Sequence, residues 1–131
     1  MQSDELIVSI STTSEITERN LEVFNYSKKH VVMFSSENKG YDAIMSYETA
    51  TSFIQTITGR VGSLVEKYNI KTIHMVISSS VAFTFLLGQS FNNNRFPEVI
   101  VYHFEGGEYY WGINMRKSPQ SAFVPTDACN M

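Results

Sequence analysis

The side chains best suited to chemistry in this chain are hydroxyls gathered at two turns. Ser78, Ser79 and Ser80 interrupt the stretch KTIHMVISSSVAFTFLLGQSFN, and Ser11, Thr12, Thr13 and Ser14 end the stretch LIVSIS. A hydroxyl placed just before an apolar helix accepts from the N–H groups that the first helical turn leaves unpaired. The N–H groups that remain are suited to an anion, as where a strand empties into a helix at the edge of an open α/β sheet. Two readings follow: the serines only cap a helix, or the two turns together hold a phosphate.

Other chemistries lack their residues. His30, His74 and His103 each fall at or inside a strand-like run with no second ligand two to five residues away, so no metal site is expected. No Gly-x-Ser-x-Gly elbow surrounds the serines, and neither a Gly-x-Gly-x-x-Gly fingerprint nor a Walker loop is present, so no catalytic residue and no cofactor is assigned. Glu105 and Glu108 flank a turn and are read as solvent-facing, with acid and base work as the alternative. Cys129 is the sole cysteine, which excludes an internal disulfide. The net charge of −3, with Lys28–Lys29 and Arg116–Lys117 the only basic pairs, argues against long nucleic acid, whose binding rests on many neutralised phosphates. A small ligand with a few phosphates is still permitted. Without a long apolar run, and without a basic segment ahead of the first one, no membrane span or secretory signal is expected, which places the chain in the cytoplasm.

The elements that would position these turns can be taken in order. At 131 residues, 43% of them hydrophobic and 18% charged, the chain suits one domain. Leu6, Val8 and Ile10 mark a first strand, and Glu15 to Tyr26 a short helix or irregular crossover. His30 to Phe34 forms a second strand, closed by the turn formers Ser35, Ser36, Glu37, Asn38 and Gly40, with Lys39 the one cation in that turn. Ala50, Phe53, Ile54, Ile57, Val61, Leu64, Val65 and Tyr68 fall on one face of a long helix that Asn69 ends in a left-handed cap. Gly59 and Gly62 within it suggest close approach of another backbone. A strand through Ile73, Met75 and Ile77 then leads to a helix over Val81 to Phe91, apolar on nearly every side and expected to be covered. Glu98 to Phe104 and Tyr109 to Met115 form a hairpin about Gly106 and Gly107, and Arg116 to Met131 is read as a tail with no element of its own. This order implies an α/β, Rossmann-like fold: a mostly parallel sheet with an antiparallel C-terminal hairpin strand and helices on both faces. The turns at Thr12, Ser36, Ser78 and Gly106 would then share the carboxyl edge.

Four of these pieces, LIVSIST, GYDAIMSY, KTIHMVISSSVAFTFLLGQSF and PEVIVYHFEGGEYYWGINM, resemble the C-terminal half of a SAVED domain, from about Leu6 to Met115. SAVED domains are the sensor modules of CBASS anti-phage effectors and of some type III CRISPR accessory proteins. They consist of two fused CARF-related halves that bind cyclic oligonucleotides. In the family the third piece ends its helix in a glycine, here Gly88. The resemblance implies a single half domain over residues 1–115 followed by a tail over 116–131. It further implies a cyclic oligonucleotide over the carboxyl edge, and a partner that is either a second copy or a separate effector subunit. In that reading Ser11, Thr12 and Thr13 contact phosphate or ribose, and Ser78, Ser79 and Ser80 hold phosphate. Lys39 supplies a cation and Phe83 meets a base. A non-catalytic binding module follows, with a structural subunit that no longer binds ligand, or a ring nuclease that degrades it, as the alternatives.

Overall fold

Strand β1, Glu5–Ser11, is buried at every residue from Leu6 onward. A strand covered on both faces belongs in the middle of a parallel sheet. β1 accordingly lies between β2 (His30–Ser35) and β3 (Thr72–Ser78), parallel to both. The structure is a computed structural model and describes residues 3–36, 46–91, 96–105 and 107–129. β4 (Glu98–Glu105) runs parallel beside β3, and β5 (Glu108–Asn114) and β6 (Phe123–Pro125) follow antiparallel. The spatial order is β2-β1-β3-β4-β5-β6. The chain therefore steps from β1 to one side and returns across it to place β3 on the other.

Helix α1 spans Tyr47–Tyr68. Ser46 starts it by accepting from the Thr49 N–H at 3.0 Å, and Asn69 stops it at φ 52°, donating to the Val65 carbonyl. Its Ala50, Ile54, Ile57, Val61 and Leu64 pack on Leu6, Val8, Ile10, Ile73 and Met75 of the sheet, as their spacing requires. Helix α2, Val81–Ser90, adds Phe83 and Leu87 to the same core. The opposite face is covered by a 3₁₀ helix, Glu18–Phe24, whose Leu21 and Phe24 pack with Ile7, Val76, Ile100 and Tyr102; a second, Tyr26–Lys28, leads into β2.

That second face is pinned by a buried polar chain. His74 Nε2 donates to the Glu5 carboxylate at 2.7 Å, and its Nδ1 accepts from the Tyr102 hydroxyl at 2.7 Å, tying β1, β3 and β4 together. Burial holds the His74 imidazole below its ordinary pKa, against the opposing pull of Glu5, which keeps the ring neutral. Tyr102 reaches this position because its cross-strand partner is Gly112. A Cβ there would lie 2.7 Å from Tyr102 Cδ1 and 2.8 Å from the Val101 carbonyl oxygen.

Several expectations are corrected. Residues 123–125 form β6 within the supposed tail. α2 is not covered: Val81 and Phe85 are each 73% exposed. β4 turns into a hairpin instead of a further helix, so a groove of about 580 Å³ stays open beside α2, walled by Met75, Ile77, Phe85, Val101, Ile113 and Met115. Gly59 approaches nothing among the described residues, since a Cβ there would find no atom within 4 Å. Gly88 does not end α2, which runs on to Ser90. Of the two hairpin glycines, Gly107 takes φ +88° and Gly106 lies outside the described residues. The sheet edges differ as well. β2 is uncharged, with Val31 and Met33 exposed and β1 its only strand partner among the described residues, whereas β6 is three residues long and contains Pro125.

Candidate functional site

Because the strand order reverses at β1, the carboxyl ends of β1 and β3 form the point where connections leave in opposite directions. In open α/β sheets this is the crevice in which ligands bind. Ser11 and Ser78 are register partners there, which brings the two hydroxyl turns face to face. The Thr12 and Thr13 N–H groups both donate to the Ser78 carbonyl, at 2.8 and 3.0 Å. Thr12 Oγ1 donates to Ser79 Oγ at 2.7 Å, and Ser78 Oγ lies 2.9 Å from Thr13 Oγ1 and 2.7 Å from Ser14 Oγ. Ser80 caps α2, its Oγ accepting from the Phe83 N–H at 3.3 Å.

Thr12, Thr13, Ser78, Ser79 and Ser80 thus form one continuous edge. Ser79 and Ser80 act as acceptors in these bonds, so their O–H groups remain to donate, and the first turn of α2 leaves the Val81 and Ala82 N–H groups without intrahelical acceptors. The arrangement offers donors and no nucleophile–base pair, which suits holding an anion.

Three expected site residues, Ser11, Thr12 and Phe83, are buried; Thr12 is 1% exposed and its Oγ1 is turned to Ser79, so it braces the second turn from beneath. Ser11 is buried, and its Oγ accepts from the Ile16 N–H at 3.0 Å, so it holds the loop rather than reaching a ligand. Phe83 is 2% exposed and stacks on Phe53 with centroids 5.9 Å apart; a buried ring has no free face for a base. Lys39 lies outside the described residues, as do Gly40 to Met45 of the GYDAIMSY piece. Ser14, part of the first hydroxyl turn but not among the expected site residues, joins the hydroxyl cluster, and Ser46 and Tyr47, also not among them, line a hollow of about 270 Å³ between the first turns of α1 and α2. The pattern Ser46-x-x-Thr49 before a long apolar helix was the available cue. Nothing local shows that Tyr47 stays exposed.

Among the described residues no group of three or more His, Cys, Asp or Glu is placed to hold a metal ion, and no helix is long and apolar enough to cross a membrane. His74 is satisfied by Glu5 and Tyr102, and His30 stacks on Tyr68 at 4.1 Å.

No curated protein matches the chain. Among solved structures, the fold is similar to that of the Cap4 SAVED/CARF-domain containing receptor of Acinetobacter baumannii. The receptor with the cyclic trinucleotide 3'3'3'-cAAA aligns with a TM-score of 0.72 at 16% identity, over 95% of this chain and 26% of that one. With 2'3'3'-cAAA the TM-score is 0.70 at 17% identity, over 82% and 23%. A third structure of the receptor gives 0.66 at 17% identity, over 83% and 22%. The chain spans about a quarter of the length of those receptors, and at these identities the likeness is one of fold. The sequence itself decides the family: residues 1–115 match the SMODS-associated and fused to various effectors sensor domain, and the chain belongs to the SAVED family.

Proposed function

We propose that the chain is a non-catalytic binding module for a cyclic oligonucleotide second messenger in prokaryotic antiviral defence, acting in the cytoplasm. The observation that carries this reading is the meeting of the Thr12–Thr13 and Ser78–Ser80 turns at the sheet's switch point, with donors left over beside a helix start. Membership of a sensor-domain family and the cyclic trinucleotides bound by the similar receptors support it. Ser79 and the N–H groups that follow Ser80 at the start of α2 hold phosphate, Thr13 and Ser78 shape the edge and meet ribose or phosphate with Thr12 bracing it from beneath, and Lys39 supplies the cation. Ser11 and Phe83 serve the site by fixing the loop and the helix behind it.

Isothermal titration against cyclic di-, tri- and tetranucleotides tests the reading. One ring is expected to bind and to be recovered intact on chromatography. Ser79→Asp is expected to abolish binding by setting a carboxylate against phosphate. Absence of heat with every ring would sink the proposal.

A second reading rests on the uncovered apolar side of α2. With Phe85 and Val81 exposed beside an open groove, the chain is also suited to pack on a second copy or a separate effector subunit. Light scattering with and without ligand distinguishes the two, because a sensor changes assembly or stability on binding and a purely structural subunit does not.

A further inference from the structure

The core-facing stripe of α1 runs through Ala50, Ile54, Ile57, Val61 and Leu64 at alternating spacings of three and four. Continued one step backward, it reaches Tyr47. Five members of the stripe are buried, yet the Tyr47 ring is 72% exposed. Ala50 is the first member of the stripe to enter the core, and Tyr47, at the first position of the helix, stays outside it beside the first turn of α2. Opposite it is the hollow between the first turns of α1 and α2, with Ala50, Phe83 and Leu86 as its apolar surface and the Ser46 and Ser80 hydroxyls at its polar margin. The Ser46 hydroxyl is engaged with Thr49, donating to its Oγ1 at 2.8 Å, whereas the Ser80 O–H is left to donate.

An aromatic face, an apolar wall and a free hydroxyl donor at the rim are the features that recognise a planar heteroaromatic ring with acceptors on its edge. At about 270 Å³ the hollow has room for about nine waters, near the heavy-atom count of a purine. We infer that this hollow seats one nucleobase of the bound ring, stacked on Tyr47 with the Ser80 hydroxyl donating to its edge. The inference rests on the cyclic oligonucleotide reading and adds to it the residue that reads a base. Ser80 lies in both the hollow and the hydroxyl edge, so a base seated here on the Ser80 O–H leaves its phosphate to Ser79 and the N–H groups of the first turn of α2.

The test is titration of the ring identified by the panel into the wild-type chain, Tyr47→Ala and Tyr47→Phe. Loss of a stacking face should weaken binding about 5- to 150-fold in Tyr47→Ala, while Tyr47→Phe, which keeps the face, retains wild-type affinity. Thermal unfolding should be unchanged in both, because the ring supports no core contact. Unaltered affinity in Tyr47→Ala overturns the base seat alone and leaves the proposed function standing. Equal losses in the two variants also overturn it, since the Tyr47 hydroxyl rather than the ring face would then carry the contact. Failure of the wild-type chain to bind any ring overturns the proposed function and the seat together.

Discussion

Two glycine-to-alanine substitutions should act in opposite directions. At Gly112 a Cβ would stand 2.7 Å from Tyr102 Cδ1, 2.8 Å from the Val101 carbonyl oxygen and 3.1 Å from Ile100 Cγ2. The carbonyl belongs to the adjacent strand's ladder and cannot retreat, so the strain falls on the register of β4 against β5 and on the Tyr102 ring. Overpacking of this kind costs about 1–3 kcal/mol. Displacing the ring also loosens the buried bond from the Tyr102 hydroxyl to His74, worth about 1 kcal/mol. Gly112→Ala should therefore lose roughly 2–4 kcal/mol, a fall in Tm of about 7–14 °C for a domain of this length. Gly59 is the opposite case. It is exposed in the middle of α1 with nothing within 4 Å of a built Cβ, so Gly59→Ala should gain roughly 0.5–1 kcal/mol, or about 2–3 °C. Urea unfolding followed by circular dichroism at 222 nm measures both, with unchanged m-values expected. A Gly112→Ala variant as stable as wild type would refute the claim that close packing on Tyr102 fixes the hairpin, and a destabilised Gly59→Ala would show that α1 has a neighbour the fold does not predict.

Other perturbations separate support of the fold from binding. His74 is held below the ordinary histidine value of 6.5, so it takes up a proton on unfolding at mildly acid pH; the stability it contributes is complete above about pH 6.5 and falls as pH drops through its lowered folded value. Urea midpoints between about pH 7.5 and 5 should accordingly decline more steeply in wild type than in His74→Gln. Ser11→Ala leaves the buried Ile16 N–H unpaired and should cost about 1–3 kcal/mol of stability, with a loss of ligand affinity smaller than that of Ser79→Asp because Ser11 acts only through the loop. Phe85→Glu should leave Tm nearly unchanged, because the ring is exposed, and should shift the mass seen by light scattering to that of a single chain if the groove docks a partner.

What could be read in advance followed from periodicity. The stripe of α1, its Asn69 cap, the strand runs and the glycine turn all express local preferences, and each element formed where its pattern predicted. The failures share a cause, which is that the deciding atoms are distant in sequence. α2 is apolar around its whole circumference, so nothing in it distinguishes the buried Phe83 from the exposed Phe85. β6 is three residues ending in Pro125, a pattern that reads as a loop, and it exists because Val124 finds Gly112 across the sheet. Gly59 and Gly112 look alike in the sequence, and only the opposing strand assigns a close approach to the second. At the site, the hydroxyl turns were legible as turns, but their contact depends on the register of Ser11 with Ser78, and Tyr47 counts only because the first turns of α1 and α2, distant in sequence, come side by side.

The unlike edges of the sheet limit how copies of this chain could join. Extension requires a row of free backbone donors and acceptors, which, among the described residues, β2 presents over six uncharged residues and the short β6 interrupts at Pro125. The sheet of the described residues therefore carries one extensible end. Two chains meeting through β2 use up both, leaving outward only the ends that do not propagate, so association by this route closes at a pair. A sheet with two open edges would grow into a fibre; in this one Pro125 of β6 is the terminator.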